Sequence, residues 1–294
     1  MKLYVLGCGG MLGDAVYKHF TKEGHDVLAT DLYRSEPWLS AVDVREYHSM
    51  HYDMSEFNPD VIVNLAALTD LEYCEGNVSE SVHTNAGGSG NCALLASKFD
   101  IPYVYISTAG IFDGKEERYD DFAVPNPMCV YGKTKYWGEL AAQSTPKHIV
   151  LRCGWQMGSG PKDKKFVHKI WKQIKAGATE LNVVKDKQGT PTYVKDFTLQ
   201  IAKMIDEHAY GVYNAVGGGE ASRYDVAVEL VRLLGLNVKV NEVPSSFWDK
   251  EYFAPRPASE KLITAKLNAE GLNIMRTWQE SLAEYVTEYK EFFS

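Results

Sequence analysis

The feature that most restricts the fold of this chain is a turn with four glycines in seven residues near its start, Gly7-Cys8-Gly9-Gly10-Met11-Leu12-Gly13. The segment 2–6 before it is apolar, as in a buried strand, and apolar residues after it recur at helical spacing. Glycines between a strand and a helix permit a tight turn and close approach of the backbone to a pyrophosphate. The helix N-terminus then directs unpaired N–H groups at the phosphates. We therefore expect a dinucleotide site here.

The order of apolar and amphipathic segments predicts an α/β fold. Residues 2–6, 26–30, 61–66 and 103–107 are typical of buried strands, with helical periods between them. Such strands favour a parallel sheet covered on both faces, and right-handed crossovers make it doubly wound. We expect a dinucleotide-binding domain at 1–150 and a smaller C-terminal α/β substrate domain at 151–294, with 181–215 as a segment that could return to the main sheet.

The second half of the chain predicts further elements between its glycine-containing loops. Amphipathic periods indicate helices near 166–176, 194–206, 222–234 and 278–292, and short apolar runs indicate strands near 181–184, 212–215 and 238–243.

Composition excludes several classes of protein. The chain has 31 basic and 39 acidic residues, a net charge of −8, which does not favour nucleic acid as a partner. No apolar run approaches the roughly 20 residues of a membrane span, and the first residues do not form a secretory signal. The five cysteines are scattered without a CxxC pair, so we expect neither disulfides nor a zinc site, and a cytoplasmic location.

Two charged clusters are given ordinary interpretations. His48, His51 and Asp53 have a spacing compatible with metal ligands, but nothing else in the chain completes a site, so we expect no metal. A basic cluster follows the Gly-Ser-Gly-Pro turn at 158–161, and we interpret it as a solvated helix face, with contact to a diphosphate as the alternative. Its members are Lys162, Lys164, Lys165 and Lys169.

Asp31 bears on the choice of dinucleotide. It ends the second predicted strand, 18 residues after Gly13, where a carboxylate can accept hydrogen bonds from the adenosine ribose. A carboxylate there repels a 2′-phosphate, which favours NAD(H). Arg34 follows three residues later and could offset that repulsion, so NADP(H) stays open.

Tyr131 and Lys135 form the candidate catalytic pair. They are four residues apart, on one face of a predicted helix. A free phenol has a pKa near 10, and one ammonium at about 4 Å could lower it by about 2–3 units. Thr108 adds a hydroxyl at the end of a predicted strand, at the sheet edge where ligands bind.

This trio resembles that of the extended short-chain dehydrogenase/reductase superfamily, whose fold is Rossmann-like. Longer segments are similar to the dTDP-4-dehydrorhamnose reductase family and follow one another in order along nearly the whole chain. They are 64–70, Cys74-Glu75, Asn85, 107–108, 111–114, 125–127, 130–132, 151–155, Phe166-Val167, 186–192, Arg256-Pro257 and Trp278.

The resemblance implies a reduction in dTDP-rhamnose biosynthesis. A hydride would pass from NAD(H) or NADP(H) to C4 of a nucleotide-linked 4-keto-6-deoxy sugar, with Tyr131 as proton donor. Lys135 would lower the pKa of Tyr131 and hold the nicotinamide ribose, and Thr108 would orient the carbonyl. The implied cofactor residues are Gly7, Gly10, Met11, Leu12, Asp31, Asp43, Val44, Ala66, Ala67, Tyr131 and Lys135, and the implied substrate residues are Thr69, Thr108, Tyr131, Trp155 and Arg256.

The chain departs from the family pattern after Thr108. Ala109-Gly110 stand where the family usually has Asp-Tyr, which removes an acid and an aromatic ring from the implied sugar pocket. The same pair argues against a 4,6-dehydratase, which would need an acid and a base there.

Two other functions stay open on the sequence alone. One is a nucleotide-sugar epimerase with bound NAD. The other is a non-enzymatic regulatory subunit like the β subunit of methionine adenosyltransferase, which resembles this family. A homodimer is also implied by the family.

Overall fold

The protein is described from a computed structural model that covers residues 1–293. Its strands are β1 (Lys2–Leu6), β2 (Asp26–Asp31), β3 (Ser40–Ala41), β4 (Val61–Asn64), β5 (Tyr103–Thr108), β6 (His148–Cys153), β7 (Trp155–Met157), β8 (Glu180–Val184), β9 (Gln188–Gly189), β10 (Pro191–Tyr193), β11 (Gly211–Asn214), β12 (Ala221–Ser222), β13 (Lys239–Val243) and β14 (Ser259–Glu260). Its α-helices are α1 (Met11–Lys22), α2 (Tyr47–Phe57), α3 (Leu71–Gly76), α4 (Val78–Ser81), α5 (Gly88–Phe99), α6 (Val130–Ala142), α7 (Phe166–Lys175), α8 (Val194–Asp206), α9 (Arg223–Leu234), α10 (Ala265–Ala269) and α11 (Trp278–Glu288).

Seven strands form the main sheet in the order β11-β6-β5-β4-β1-β2-β3, and every neighbouring pair is parallel. Strand order reverses on the two sides of β1, so a crevice opens at the carboxyl ends of β1 and β4, where ligands bind in such sheets. The predicted doubly wound, Rossmann-like sheet is confirmed.

The two faces of the sheet bury different side chains because successive residues of a strand point in opposite directions. Leu3 and Val5 pack with Val16 and Phe20 of α1 in one apolar layer. Tyr4 packs in the other apolar layer, on the side of the sheet that faces α2 and α5. Both faces are therefore covered, which explains the nearly continuous apolar strands.

β4 ends earlier than the apolar pattern predicted. Asn64 is the last strand residue, and its side chain redirects the chain: Oδ1 accepts the N–H of Ala66 at 3.0 Å, and Nδ2 donates to the Tyr103 hydroxyl at 3.1 Å. The apolar residues 65–67 therefore belong to the loop that follows the strand.

α6 is fixed to the sheet by a buried ion pair. Arg152 of β6 donates from Nη2 to Oε1 of Glu139 at 2.7 Å and from Nη1 to the carbonyl of Asp121 at 3.1 Å. The Glu139 side chain has no exposed surface, and that of Arg152 is 6% exposed. Breaking such a pair would leave an uncompensated buried charge, so it holds α6 in a defined position.

The C-terminal half contains three small sheets and part of the main one. β8 pairs in parallel with β13, β7 pairs with β10, and β9 lies between β12 and β14. β11, from the segment that could return to the main sheet, pairs with β6 there. The boundary proposed at residue 150 falls inside β6, and the division into two domains stays a prediction.

None of the helices within residues 1–293 combines the length and the apolar character needed to cross a lipid bilayer.

Candidate active site

The glycine turn forms the floor of a cleft at the switch point. Gly7 has φ +75°, and a Cβ there would overlap the backbone of Ala66, so the turn and the loop after β4 approach as closely as backbones can. Gly10 is the N-cap of α1 and has no side chain to satisfy the first N–H groups of the helix. These groups are therefore free to bind phosphate oxygens, and the turn fits a dinucleotide.

The residues predicted to bind the cofactor all line this one cleft. They are Gly7, Gly10, Met11, Leu12, Asp31, Asp43, Val44, Ala66, Ala67, Tyr131 and Lys135. Asp31 Oδ2 accepts the N–H of Gly9 at 2.9 Å, so the carboxylate at the end of β2 is held against the glycine turn. This is the position from which a carboxylate can reach an adenosine ribose.

Arg45, and not Arg34, lines the cleft beside Asp43. Arg34 lies outside the cleft, and its Nη2 donates to the carbonyl of Pro37 at 3.2 Å. Arg45 lines the cleft, where its Nε and Nη2 donate to the carboxylate of Asp43 at 2.6 to 2.9 Å. This pairing holds the pKa of Asp43 below its usual range. Arg34 was expected to offset the repulsion between Asp31 and a 2′-phosphate, and this stays a prediction for a residue that does not line the cleft.

Tyr131 and Lys135 project from the first two turns of α6 into the same cleft as the glycine turn. Thr108, the last residue of β5, lies next to Tyr131: the Oγ1 of Thr108 and Cε1 of Tyr131 are 3.5 and 3.6 Å from the point where a Cβ on Gly110 would stand. Oγ1 also accepts the N–H of Gly110 at 3.1 Å, which fixes its orientation. The three candidate catalytic residues are thus brought together.

The expected lowering of the Tyr131 pKa is wrong. Burial raises the pKa of Tyr131, Cys153 raises it further, and a hydrogen bond with Thr108 lowers it only in part. Burial lowers the pKa of Lys135 to about 8, and its ammonium lies 4.2 Å from the centre of the Tyr105 ring. The sequence argument counted the attraction between phenolate and ammonium and omitted the desolvation of both groups.

The predicted substrate residues occupy two neighbouring regions. Thr69 lines the cleft, and its Oγ1 accepts from Nζ of Lys165 at 2.9 Å. Trp155 and Arg256 lie outside the cleft that the cofactor residues line. Trp155 donates from Nε1 to Oε2 of Glu260 at 2.7 Å, and Arg256 is held by the carboxylate of Glu72 at 2.7 and 2.9 Å.

Sequence reasoning missed two charged residues of this region, and it placed a third at a ligand only as an alternative. Lys165 belongs to the cluster interpreted as a solvated face, yet it lines the cleft, and burial lowers its pKa. Arg223, at the start of α9, lies over the Trp155 ring at 3.8 Å and the Phe166 ring at 5.0 Å. Glu260 of β14 lies beside Trp155 and near Tyr131, although it is more than 100 residues from both along the chain. The Gly-Ser-Gly-Pro turn was a signal for Lys165, whereas nothing local marked Arg223 or Glu260.

His48, His51 and Asp53 have a spacing compatible with metal ligands, and in the structure His51 and Asp53 make other contacts. The His51 ring packs against Tyr47 and Phe99, with ring centres 6.0 and 5.8 Å apart. Asp53 accepts from the Tyr4 hydroxyl at 3.2 Å.

The parallel sheet, the glycine turn and the Tyr131–Lys135 helix define an NAD(P)-dependent oxidoreductase of the short-chain dehydrogenase/reductase type. A family model described as the RmlD substrate binding domain matches residues 1–291, and the chain belongs to this family.

Relatives cover nearly the whole chain. It is 30% identical over 295 residues to the dTDP-4-dehydrorhamnose reductase of Aggregatibacter actinomycetemcomitans, which spans 96% of this chain and 97% of that protein. A solved structure of a dTDP-4-dehydrorhamnose reductase from Clostridium acetobutylicum is 32% identical with a TM-score of 0.91, covering 99% of this chain and 100% of that one. The structure of the Bacillus anthracis reductase in complex with NADP is 27% identical with a TM-score of 0.89, covering 98% and 99%.

A relative with a different name is also similar along its length. Methionine adenosyltransferase 2 subunit beta of Mus musculus is 26% identical over 295 residues, covering 96% of this chain and 86% of that protein.

Proposed function

We propose that this protein reduces the C4 keto group of a dTDP-linked 4-keto-6-deoxy sugar, with NADH or NADPH as the electron donor. The observation that carries the proposal is the meeting of Tyr131 and Lys135 with the glycine turn in one cleft, with Thr108 beside Tyr131. The reductases among its relatives support the choice of substrate.

The glycine turn and Asp31 would hold the dinucleotide, with its phosphates at the N-terminus of α1. The bound nicotinamide supplies a hydride. Lys135, which is 4% exposed, stands on the wall of the cleft from which its ammonium can hold the nicotinamide ribose.

Tyr131 would give its proton to the oxygen that becomes an alkoxide when C4 accepts the hydride. A raised pKa keeps the phenol protonated until that negative charge develops, which suits the direction of reduction. Thr108 would donate a second hydrogen bond to the same oxygen and so orient the carbonyl toward Tyr131.

The experiment that tests the proposal follows the absorbance at 340 nm. Purified protein is mixed with NADH or NADPH and dTDP-4-keto-6-deoxy sugars, and we expect oxidation of the dinucleotide together with one equivalent of 6-deoxy sugar nucleotide. Unchanged absorbance with every substrate would contradict the reductase. An epimerase would interconvert sugar nucleotides without net consumption of the dinucleotide, and a regulatory subunit would do neither by itself.

A further inference from the structure

Glu260 has one carboxylate oxygen that is engaged and one that is free. Oε2 accepts the indole N–H of Trp155 at 2.7 Å, while Oε1 has no hydrogen-bond partner among residues 1–293. The side chain is partly buried, and this burial raises the pKa of the carboxyl. Because Oε1 receives no hydrogen bond from the described residues, it is available to accept one from a ligand.

The free oxygen faces the proposed reaction centre. Oε1 lies 3.7 Å from the point where a Cβ on Gly110 would stand, and Oγ1 of Thr108 and Cε1 of Tyr131 are 3.5 and 3.6 Å from that same point. Residue 110 contributes no side chain, so this space is bounded by Thr108, Tyr131 and Glu260. A sugar ring that presents its keto oxygen to Tyr131 would pass beside Glu260.

The charges around Glu260 favour a neutral donor over a cationic one. The guanidinium of Arg223 is stacked over the Trp155 ring that Glu260 holds, and Arg223 and Arg256 both act to lower the pKa of this carboxyl. Arg256 is itself bound by Glu72. Because positive charge already surrounds the carboxylate, an ammonium group on the substrate would be repelled by Arg223, whereas a hydroxyl would not.

We propose that Oε1 of Glu260 accepts a hydrogen bond from the C3 hydroxyl of the sugar and so selects substrates that carry this group. The inference rests on the proposed function. Of the two carbons that flank the keto carbon of a 4-keto-6-deoxy sugar, only C3 bears a hydroxyl. With the C4 oxygen between Thr108 and Tyr131, the proposal places that hydroxyl beside Glu260.

The test combines two enzyme variants with two substrates. Glu260→Ala removes the acceptor, and Glu260→Gln keeps an oxygen for Trp155 while it removes the charge. Glu251→Gln, an exposed glutamate of the same C-terminal segment, is the matched control. Each protein is assayed with a dTDP-4-keto-6-deoxy sugar and with its 3-deoxy counterpart, and the affinity for NADH is measured by fluorescence.

For the hydroxylated substrate we expect kcat/KM to fall about 10- to 100-fold in Glu260→Ala, mainly through KM, and about tenfold in Glu260→Gln. For the wild type, kcat/KM with the 3-deoxy substrate should be lower by a similar factor than with the hydroxylated substrate. Neither substitution at Glu260 should change kcat/KM for the 3-deoxy substrate much further. The affinity for NADH and the control variant should be unchanged.

Equal losses for the two substrates, or no loss for either, would overturn the assignment while the reductase activity stands. If the wild type oxidises NAD(P)H with neither substrate, the proposed function fails instead. Calorimetric binding of the dTDP-6-deoxy sugar and its 3-deoxy form to the wild type and to Glu260→Ala then decides the role of Glu260 without turnover. If the two ligands bound to the two proteins with the same affinity in all four combinations, the proposed role of Glu260 would be overturned.

Discussion

Replacing Lys135 by methionine should stabilise the fold while it removes the proposed contact with the nicotinamide ribose. Burial lowers the pKa of Lys135 from 10.5 to about 8, so the charged form is disfavoured in the folded protein. Lys135 binds its proton more tightly in the unfolded chain than in the folded protein. The resulting loss of folding free energy is fully present below about pH 8. It disappears as the pH rises through 10.5. Linkage gives a cost of about 3 kcal/mol at pH 7 and less than about 1 kcal/mol at pH 10.

Methionine has a similar length and can keep the contact with the Tyr105 ring through its sulfur, so little packing is lost. Urea unfolding of the wild type and Lys135→Met at pH 7 and pH 10 measures the difference. We expect a gain of about 3 kcal/mol in the free energy of unfolding at pH 7, most of which is absent at pH 10.

Lys133→Met is the control, since Lys133 lies on the same helix with its side chain exposed and should change the free energy of unfolding by less than about 0.5 kcal/mol. The reasoning from burial would be refuted if Lys135→Met were less stable than the wild type at pH 7. It would also be refuted if the free energy of unfolding changed by the same amount at pH 7 and pH 10.

Three further changes test two site residues and the ion pair that fixes α6. Tyr131→Phe should lower kcat by about 10²-fold or more, because the proton donor is lost, and should leave the dissociation constant of NADH in a fluorescence titration nearly unchanged; a kcat within threefold of the wild type would exclude this role. Asp31→Asn should raise kcat/KM for NADPH relative to NADH at least several-fold, because a charge that repels a 2′-phosphate is removed, and an unchanged ratio would show that Asp31 does not face that phosphate. Glu139→Ala should lower the free energy of unfolding by about 3–5 kcal/mol in urea denaturation, since Arg152 stays buried without its partner, whereas a loss below about 1 kcal/mol would mean that water reaches Arg152.

The sequence predicted well what depends on neighbouring residues. Strands β1 and β2 begin at the predicted residues, and α8 covers the predicted range 194–206, because apolar periodicity is read locally. The glycine turn was also predictable, since its strand, turn and helix are consecutive.

The errors concern groups that tertiary structure brings together. The raised pKa of Tyr131 depends on burial under segments far along the chain, and the helical spacing to Lys135 contains no information on desolvation. Glu260 of the C-terminal quarter lies near Tyr131, and Arg256 is paired with Glu72, 184 residues away. Spacing alone cannot indicate such partners.

The strand that crosses residue 150 has a consequence for how the molecule can be divided. β6 is paired with β5 on one side and with β11 on the other, and one continuous apolar layer contains Leu3 as well as Leu230 and Trp278. A fragment that stopped at residue 150 would lose half of β6 and uncover the side of the sheet on which α1 rests. We therefore expect that the first 150 residues, expressed by themselves, would expose apolar surface that the rest of the chain covers and would not form an independent module.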